Sequence, residues 1–250
     1  MTGNFAVKVR KRAGDLAIDL TDEQLLQLNG YYEMLVEKNK VMNLTAITEE
    51  DDVITKHIID SLSIVKALDK ELISRIKDTK NHVRLIDIGT GAGLPGLILK
   101  IVFPAMDVTL FDSLKKRLVF LDEVIEELSL KGTATVHGRA EDYGRNPEYR
   151  EKYDIAVSRA VANMSSLSEY CLPFVKKNGL FAAYKSADSH DEIAAAKGAI
   201  TKLGGKTEGE TVFTLPDSDI ERRMVLVRKI KNTPSLYPRK AGVPSKDPLK

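Results

Sequence analysis

Tryptophan is missing from this chain, and phenylalanine and tyrosine bring the aromatic share to only 6%. Gripping a polymer by stacking many bases on surface rings is therefore not expected. Cysteine occurs once, at Cys171. That excludes an internal disulfide, fits a reducing cytoplasm and leaves no thiol cluster for a metal. Cys171 lies in an apolar helical stretch just before Pro173 and reads as a packed core thiol. The four histidines, at 57, 82, 137 and 190, are scattered without metal-ligand spacing, so no metal site is expected. No run of about 18 apolar residues occurs, so no membrane helix is expected. The basic segment Lys8–Arg12 is followed by no apolar stretch of the kind a secretory signal needs. A monomeric cytoplasmic protein is the resulting expectation.

What is present suffices for one domain with a full core: 250 residues, 43% of them hydrophobic. The net charge of +2 hides an asymmetry. Residues 1–12 hold four basic and no acidic side chains, and residues 228–250 hold seven basic and one acidic. The body between is correspondingly acidic. Separated basic ends suit contact with a polyanion, although charged tails also serve solubility alone.

Residues 1–20 show no clear period and are expected to start loosely ordered. Thr21 and Gln24 form a capping box, with Leu25, Leu28, Tyr32, Leu35 and Val36 on one helical face to about Asn39. Thr48 with Asp51 predicts a second helix carrying Val53, Ile54, Ile58 and Leu62. A third helical piece ends near Lys77. From Val83 the rhythm becomes strand and helix in alternation. Strands are predicted at 83–89, 107–112, 133–137, 153–159, 180–185, 206–214 and 222–231, the last two as a hairpin-like pair. Helices fall at 94–103, 115–130, 164–171 and 190–203, and 138–150 is a polar loop or short helix. Such βαβ units imply a mostly parallel sheet with helices on both faces. The divisions are then 1–80, a helical cap; 81–231, an α/β domain; and 232–250, a basic, proline-rich extended arm.

The stretch Arg84–Gly96 carries the chemistry. An apolar strand runs into glycines at 89, 91, 93 and 96 and then into a helix. Strand, glycine turn and helix bring backbone against a nucleotide-like ligand. Gly91-x-Gly-x-x-Gly96 matches the dinucleotide fingerprint literally, so a nicotinamide-dependent oxidoreductase is one reading. Two residues favour S-adenosylmethionine instead. Asp87 would repel a pyrophosphate but suits a ligand bearing ammonium and sulfonium charges. Pro95 removes an N–H where phosphate would need one. Asp112, 19 residues after Gly93, ends the second strand where an acid accepts hydrogen bonds from ribose hydroxyls, while Ser113 is placed to cap the helix that follows. Ala140-Glu141-Asp142 follows strand three and offers a partner for an adenine amine, or is a solvated acidic loop. No Pro-Pro-aromatic tetrapeptide is present for methylating exocyclic base amines, and no cysteine pair for attack on pyrimidine C5. Guanine N7 fits these absences. It has an exposed lone pair and no proton to remove, so catalysis can rest on alignment and electrostatics.

At this point the residues resemble a family, the bacterial small-subunit ribosomal RNA guanine-N7 methyltransferases (RsmG, or GidB). The motifs are Asn43-Leu-Thr45, His57-Ile-Ile-Asp-Ser-Leu62, Asp87 to Gly96, Asp112-Ser-Leu-Lys-Lys-Arg117, Arg139-Ala-Glu141, Ser158-Arg-Ala160, Lys176-Lys-Asn-Gly179 and Tyr237-Pro-Arg-Lys-Ala-Gly242. They occur in order over residues 21–250. The resemblance implies a class I S-adenosylmethionine-dependent methyltransferase fold, Rossmann-like, with a seven-stranded sheet and an N-terminal helical cap. It implies methylation of N7 of a guanine in 16S rRNA, with the small ribosomal subunit as partner. Cofactor contacts would fall on Gly89, Leu94, Asp112, Ala140, Glu141 and Arg159, beside Asp87, Gly91 and Gly93 from the turn itself and Ser113 next to Asp112. Leu94 stands where the family more often has phenylalanine, which removes an aromatic face. Arg159 and Lys185 are the candidates nearest to catalysis. His57, Arg139, Lys185, Arg239, Lys240 and Lys246 are the candidates for RNA contact. A non-catalytic RNA-binding protein on the same fold is a further alternative, and a small-molecule methyltransferase, against which the basic ends argue, is another.

Overall fold

A computed structural model of the chain describes residues 3–78, 80–159 and 162–250. The helical part comprises α1 (Gly3–Gly14), α2 (Asp22–Asn39), α3 (Glu50–Val53), a π turn (Ile54–Ile59), α4 (Asp60–Leu62), a 3-10 turn (Ser63–Lys66) and α5 (Lys70–Lys77). The alternating part follows as β1 (Arg84–Ile88), α6 (Gly96–Val102), β2 (Asp107–Asp112), α7 (Lys115–Glu127), β3 (Thr133–His137), α8 (Ala140–Tyr143), β4 (Tyr153–Arg159), α9 (Met164–Cys171) and β5 (Val175–Ser186). It closes with α10 (His190–Ala195), α11 (Lys197–Lys202), β6 (Gly205–Thr214), β7 (Glu221–Lys229) and α12 (Val243–Lys246).

The strands form one seven-stranded sheet in the order β3-β2-β1-β4-β5-β7-β6. The first five are parallel and β7 is antiparallel to both its neighbours. β1 and β4 lie side by side although three crossovers separate them, so the strand order reverses between them. That reversal opens a crevice at the carboxyl edge. Apolar layers cover both faces. One contains Phe5, Leu28, Tyr31, Ile58, Leu97 and Leu121, so the N-terminal helices share a core with α6 and α7. The other joins Ile86 and Phe181 to Leu167, Cys171 and Ile200.

Four expectations need correction. The first residues are not loose. Phe5, Val9 and Ala13 recur at helical spacing and are fully buried, while the basic side of α1 is spent on ion pairs: Lys8 and Arg12 with Asp51, Arg10 with Asp22, Lys11 with Asp217. Thr48 caps nothing; the helix starts at Glu50 after Glu49, without a side-chain cap. On α2 the capping box forms and Tyr32 packs against the core, but the fully buried tyrosine is Tyr31, left off the expected face, whose hydroxyl donates to Ala92 O at 2.9 Å. Tyr32 stacks on Phe5. Finally, the proline-rich tail is no free arm. Arg145 donates to the carbonyls of Leu236 and Pro238, and Arg150 to those of Thr233 and Tyr237. These long-range bonds lay the tail along the body.

Candidate functional site

The glycine turn is built around Asp87. This carboxylate is fully buried, and its Oδ2 accepts from Thr90 Oγ1 (2.7 Å) and from the Gly96 amide (2.8 Å). Gly96 must be glycine here, since a Cβ would sit 2.8 Å from the Asp87 Cβ. Gly93 adopts φ +95°, open to glycine alone without strain. The first free amide of α6 is thus consumed by an internal carboxylate, and Pro95 contributes none. The anion-binding end that a dinucleotide needs is absent from this turn. Asp87 Oδ1 is buried with no hydrogen-bond partner among the described residues. Burial pushes the carboxyl up to about 6, against the hydrogen bonds from Thr90 and Gly96. A group so placed gains from a cation beyond the turn.

A cavity of about 600 Å³ opens at the carboxyl ends of β1, β2 and β3. It brings together Gly89, Asp112, Ser113, Arg139, Ala140, Glu141 and Arg159 from the sequence candidates. It also takes in Arg117, Tyr170, Gly242 and Ser245, which sequence reasoning did not single out. Asp112 is nearly closed from solvent. Its Oδ2 accepts from the Gly91 amide (2.9 Å) and Arg117 (3.3 Å), and its Oδ1 from the Leu114 amide (2.8 Å). The expected Ser113 cap does not form: Leu114 occupies the N-cap of α7 without a side-chain bond. Glu141 is buried and its Oε1 accepts from the Gly242 amide at 2.8 Å. Leu94 is buried in the apolar core under the turn instead of facing the cavity. Gly91 and Gly93 act through backbone, one bonded to Asp112 and the other packed on Leu97 and Leu121.

A second cavity, about 700 Å³, lies at the ends of β4 and β5 under the helical part. His57, Asp60, Asn163, Tyr184, Lys185 and Arg222 line it, and so does Arg159, which borders both cavities. Arg159 is held by the helical part. Its guanidinium donates to Lys56 O (2.8 Å) inside the π turn and to Asp60 Oδ2 (3.2 Å). Arg222 donates to the other Asp60 oxygen at 3.0 Å. One buried carboxylate therefore organises two arginines, and a π turn, a feature frequent at functional sites, sets it there. Ala160, part of the Ser158-Arg-Ala160 motif, lies outside the described residues.

The basic candidates divide. His57, expected as a basic contact, is buried; its Nε2 lies 2.9 Å from Thr45 Oγ1. Burial and then the Arg159 charge push it down to about 4, so at neutral pH it is an uncharged imidazole. Lys185 is bound to Glu192 (2.6 Å) and Ala162 O (2.7 Å). Arg239 is locked on Glu169, itself fully buried. Arg139, Lys240 and Lys246 are exposed. Burial raises the Cys171 thiol well above its ordinary value, which suits an inert core residue.

The sheet order, the glycine turn and an acid closing β2 define the class I methyltransferase fold. A protein assigned as a sarcosine dimethylglycine methyltransferase from Galdieria sulphuraria shares it, with TM-score 0.53 at 12% identity, covering 74% of this chain and 89% of that one. The chain belongs to the GidB family, described as rRNA small subunit methyltransferase G, whose profile matches residues 24–220. Its relatives include the ribosomal RNA small subunit methyltransferase G of Acetivibrio thermocellus, 50% identical over 95% of this chain and 93% of that protein. The protein of the same name from Leuconostoc mesenteroides is 47% identical over the full length of both.

Proposed function

We propose that this protein transfers a methyl group from S-adenosylmethionine to N7 of a guanine in 16S ribosomal RNA. The observation that carries the reading is the meeting of two cavities at Arg159, one bearing carboxylates for a nucleoside, the other open under the helical part. Family membership supports the methyltransferase activity and the RNA substrate.

The residues fit the cofactor. Asp112 retains lone-pair capacity on Oδ1 for ribose hydroxyls, and Glu141 retains its second oxygen for an adenine amine. The orphaned Asp87 oxygen supplies negative potential beneath the glycine turn toward a cationic ligand. When bound, S-adenosylmethionine supplies an electrophilic methyl group. The chain's own residues bind and orient. Asp60 fixes Arg159 at the border of the two cavities, and Tyr184, whose hydroxyl donates to Ser61 O (2.7 Å), ties β5 to the helical part. No residue has to remove a proton from N7, which agrees with an acceptor cavity whose histidine is uncharged and hydrogen-bonded to a threonine. Alignment and local charge then carry the rate. Exposed Arg139, Lys240 and Lys246 serve phosphate contact, which gives affinity without base choice.

Calorimetry tests the cofactor half directly. S-adenosylmethionine should bind one site per chain, and NAD should not. Binding of NAD in preference would overturn the reading.

A further inference from the structure

The tail after β7 does more than cover the body. Five independent ties hold it: the two carbonyl-binding arginines 145 and 150, the Arg239–Glu169 pair, Ser166 Oγ donating to Pro244 O (2.6 Å), and the Gly242 amide on Glu141. The arginines hold residues 233–238, and the last two ties fall on α12 and the turn before it. That turn, at Gly242 with φ +82°, and Ser245 on α12 stand in the wall of the β1–β3 cavity, which Asp112 also lines. The tail reaches the cavity through Glu141, a carboxylate of the cavity itself. A bond from the last segment of the chain thus fixes one oxygen of a group available to a nucleoside, leaving the other to the ligand.

We propose that this C-terminal strap is a component of the cofactor site: it closes over bound S-adenosylmethionine, and its opening releases the ligand. The proposal rests on the reading of this cavity as the cofactor's. It is the reverse of an arm that serves RNA alone. Its consequence follows from linkage. A ligand that requires the closed strap must in turn hold the strap closed, by the same factor.

Limited trypsin digestion of the full chain reads this without any activity assay. Lys240 and Lys246 are exposed within the strap, and Lys131 is exposed at the opposite edge of the sheet as an internal control. If cleavage requires opening, S-adenosylmethionine at 100 times its Kd should slow cuts after Lys240 and Lys246 by about 100-fold, and leave Lys131 unaffected. Arg239→Met, at a temperature where the variant is folded, should be cut about tenfold faster than wild type after Lys240 and Lys246 without ligand, because its strap opens more often. Where that variant does not fold, Ser166→Ala, lacking one hydrogen bond to the strap, should be cut about fivefold faster. Unchanged cleavage at Lys240 and Lys246 with the ligand demonstrably bound, or an unchanged cutting rate in the folded variant, overturns the strap while leaving the cofactor assignment intact. Failure of the intact chain to bind S-adenosylmethionine overturns both.

Discussion

Two buried groups close to the site titrate in opposite senses. Asp87 is raised to about 6, so the folded chain holds its proton more tightly than the unfolded chain does. Its favourable contribution is present below the ordinary carboxylate range and is lost as pH rises toward 6. His57 is lowered to about 4, so the folded chain prefers the neutral ring. Its contribution is present above its ordinary value of 6.5 and is lost as pH falls toward 4. Each is worth on the order of 3 kcal/mol, and between pH 4 and 6 they oppose. Urea unfolding from pH 4.5 to 7 should separate them. Relative to wild type, Asp87→Asn should gain stability as pH rises and His57→Asn should lose it; three parallel profiles would contradict both environments. At the same scale, Asp112→Asn should weaken S-adenosylmethionine binding by about 10- to 100-fold, the value of a charge-assisted hydrogen bond. Calorimetry checks this, and an unchanged affinity would remove Asp112 from the site.

At the scale of the element, α1 is the clearest departure from sequence reading. Phe5→Ala should cost about 3–5 kcal/mol in urea unfolding, as for any fully buried aromatic; a loose segment would lose nothing. The signal was there, three apolar residues at spacing four, but it was masked by an i+2 scatter of lysine and arginine between them. Strands were legible because apolar and β-branched runs bounded by polar residues or glycine are local: 108–111 in β2, 133–136 in β3 and 155–157 in β4. The same holds for α9, capped by Asn163. What was not legible rests on distant partners. The tail's contacts join residues 70 to over 100 positions apart, and no periodicity records them. The π turn at Ile54–Ile59 had no signature either; the pattern called for an ordinary helix. Of the site, Asp112, Ala140, Glu141 and Arg159 could be found from their place after β2, after β3 and at the end of β4, together with family motifs. Arg222 and Tyr170 could not, since each is one of several polar residues on its strand or helix and no motif marks it.

For the whole molecule, the charge map changes meaning once the fold is known. The basic N-terminus neutralises acids of the body, and part of the basic C-terminus is anchored on Glu169. The cations left exposed near the crevice are few, Arg139, Lys240 and Lys246 among the described residues considered for RNA. Replacing Lys240 and Lys246 by alanine should lower affinity for small-subunit RNA and reduce the slope of log K against log salt by about 1.5, as two phosphate contacts require. A slope unchanged in filter binding would place the RNA elsewhere. The shared core of helical part and sheet sets the two cavities side by side, with Arg159 at their border. We propose that one cavity binds the methyl donor and the other admits a guanine. The most direct measurement incubates the protein with methyl-labelled S-adenosylmethionine and small ribosomal subunits lacking the modification, then digests the 16S RNA to nucleosides. Label recovered as 7-methylguanosine is the predicted result; label in any other nucleoside, or none while the cofactor binds, would contradict it.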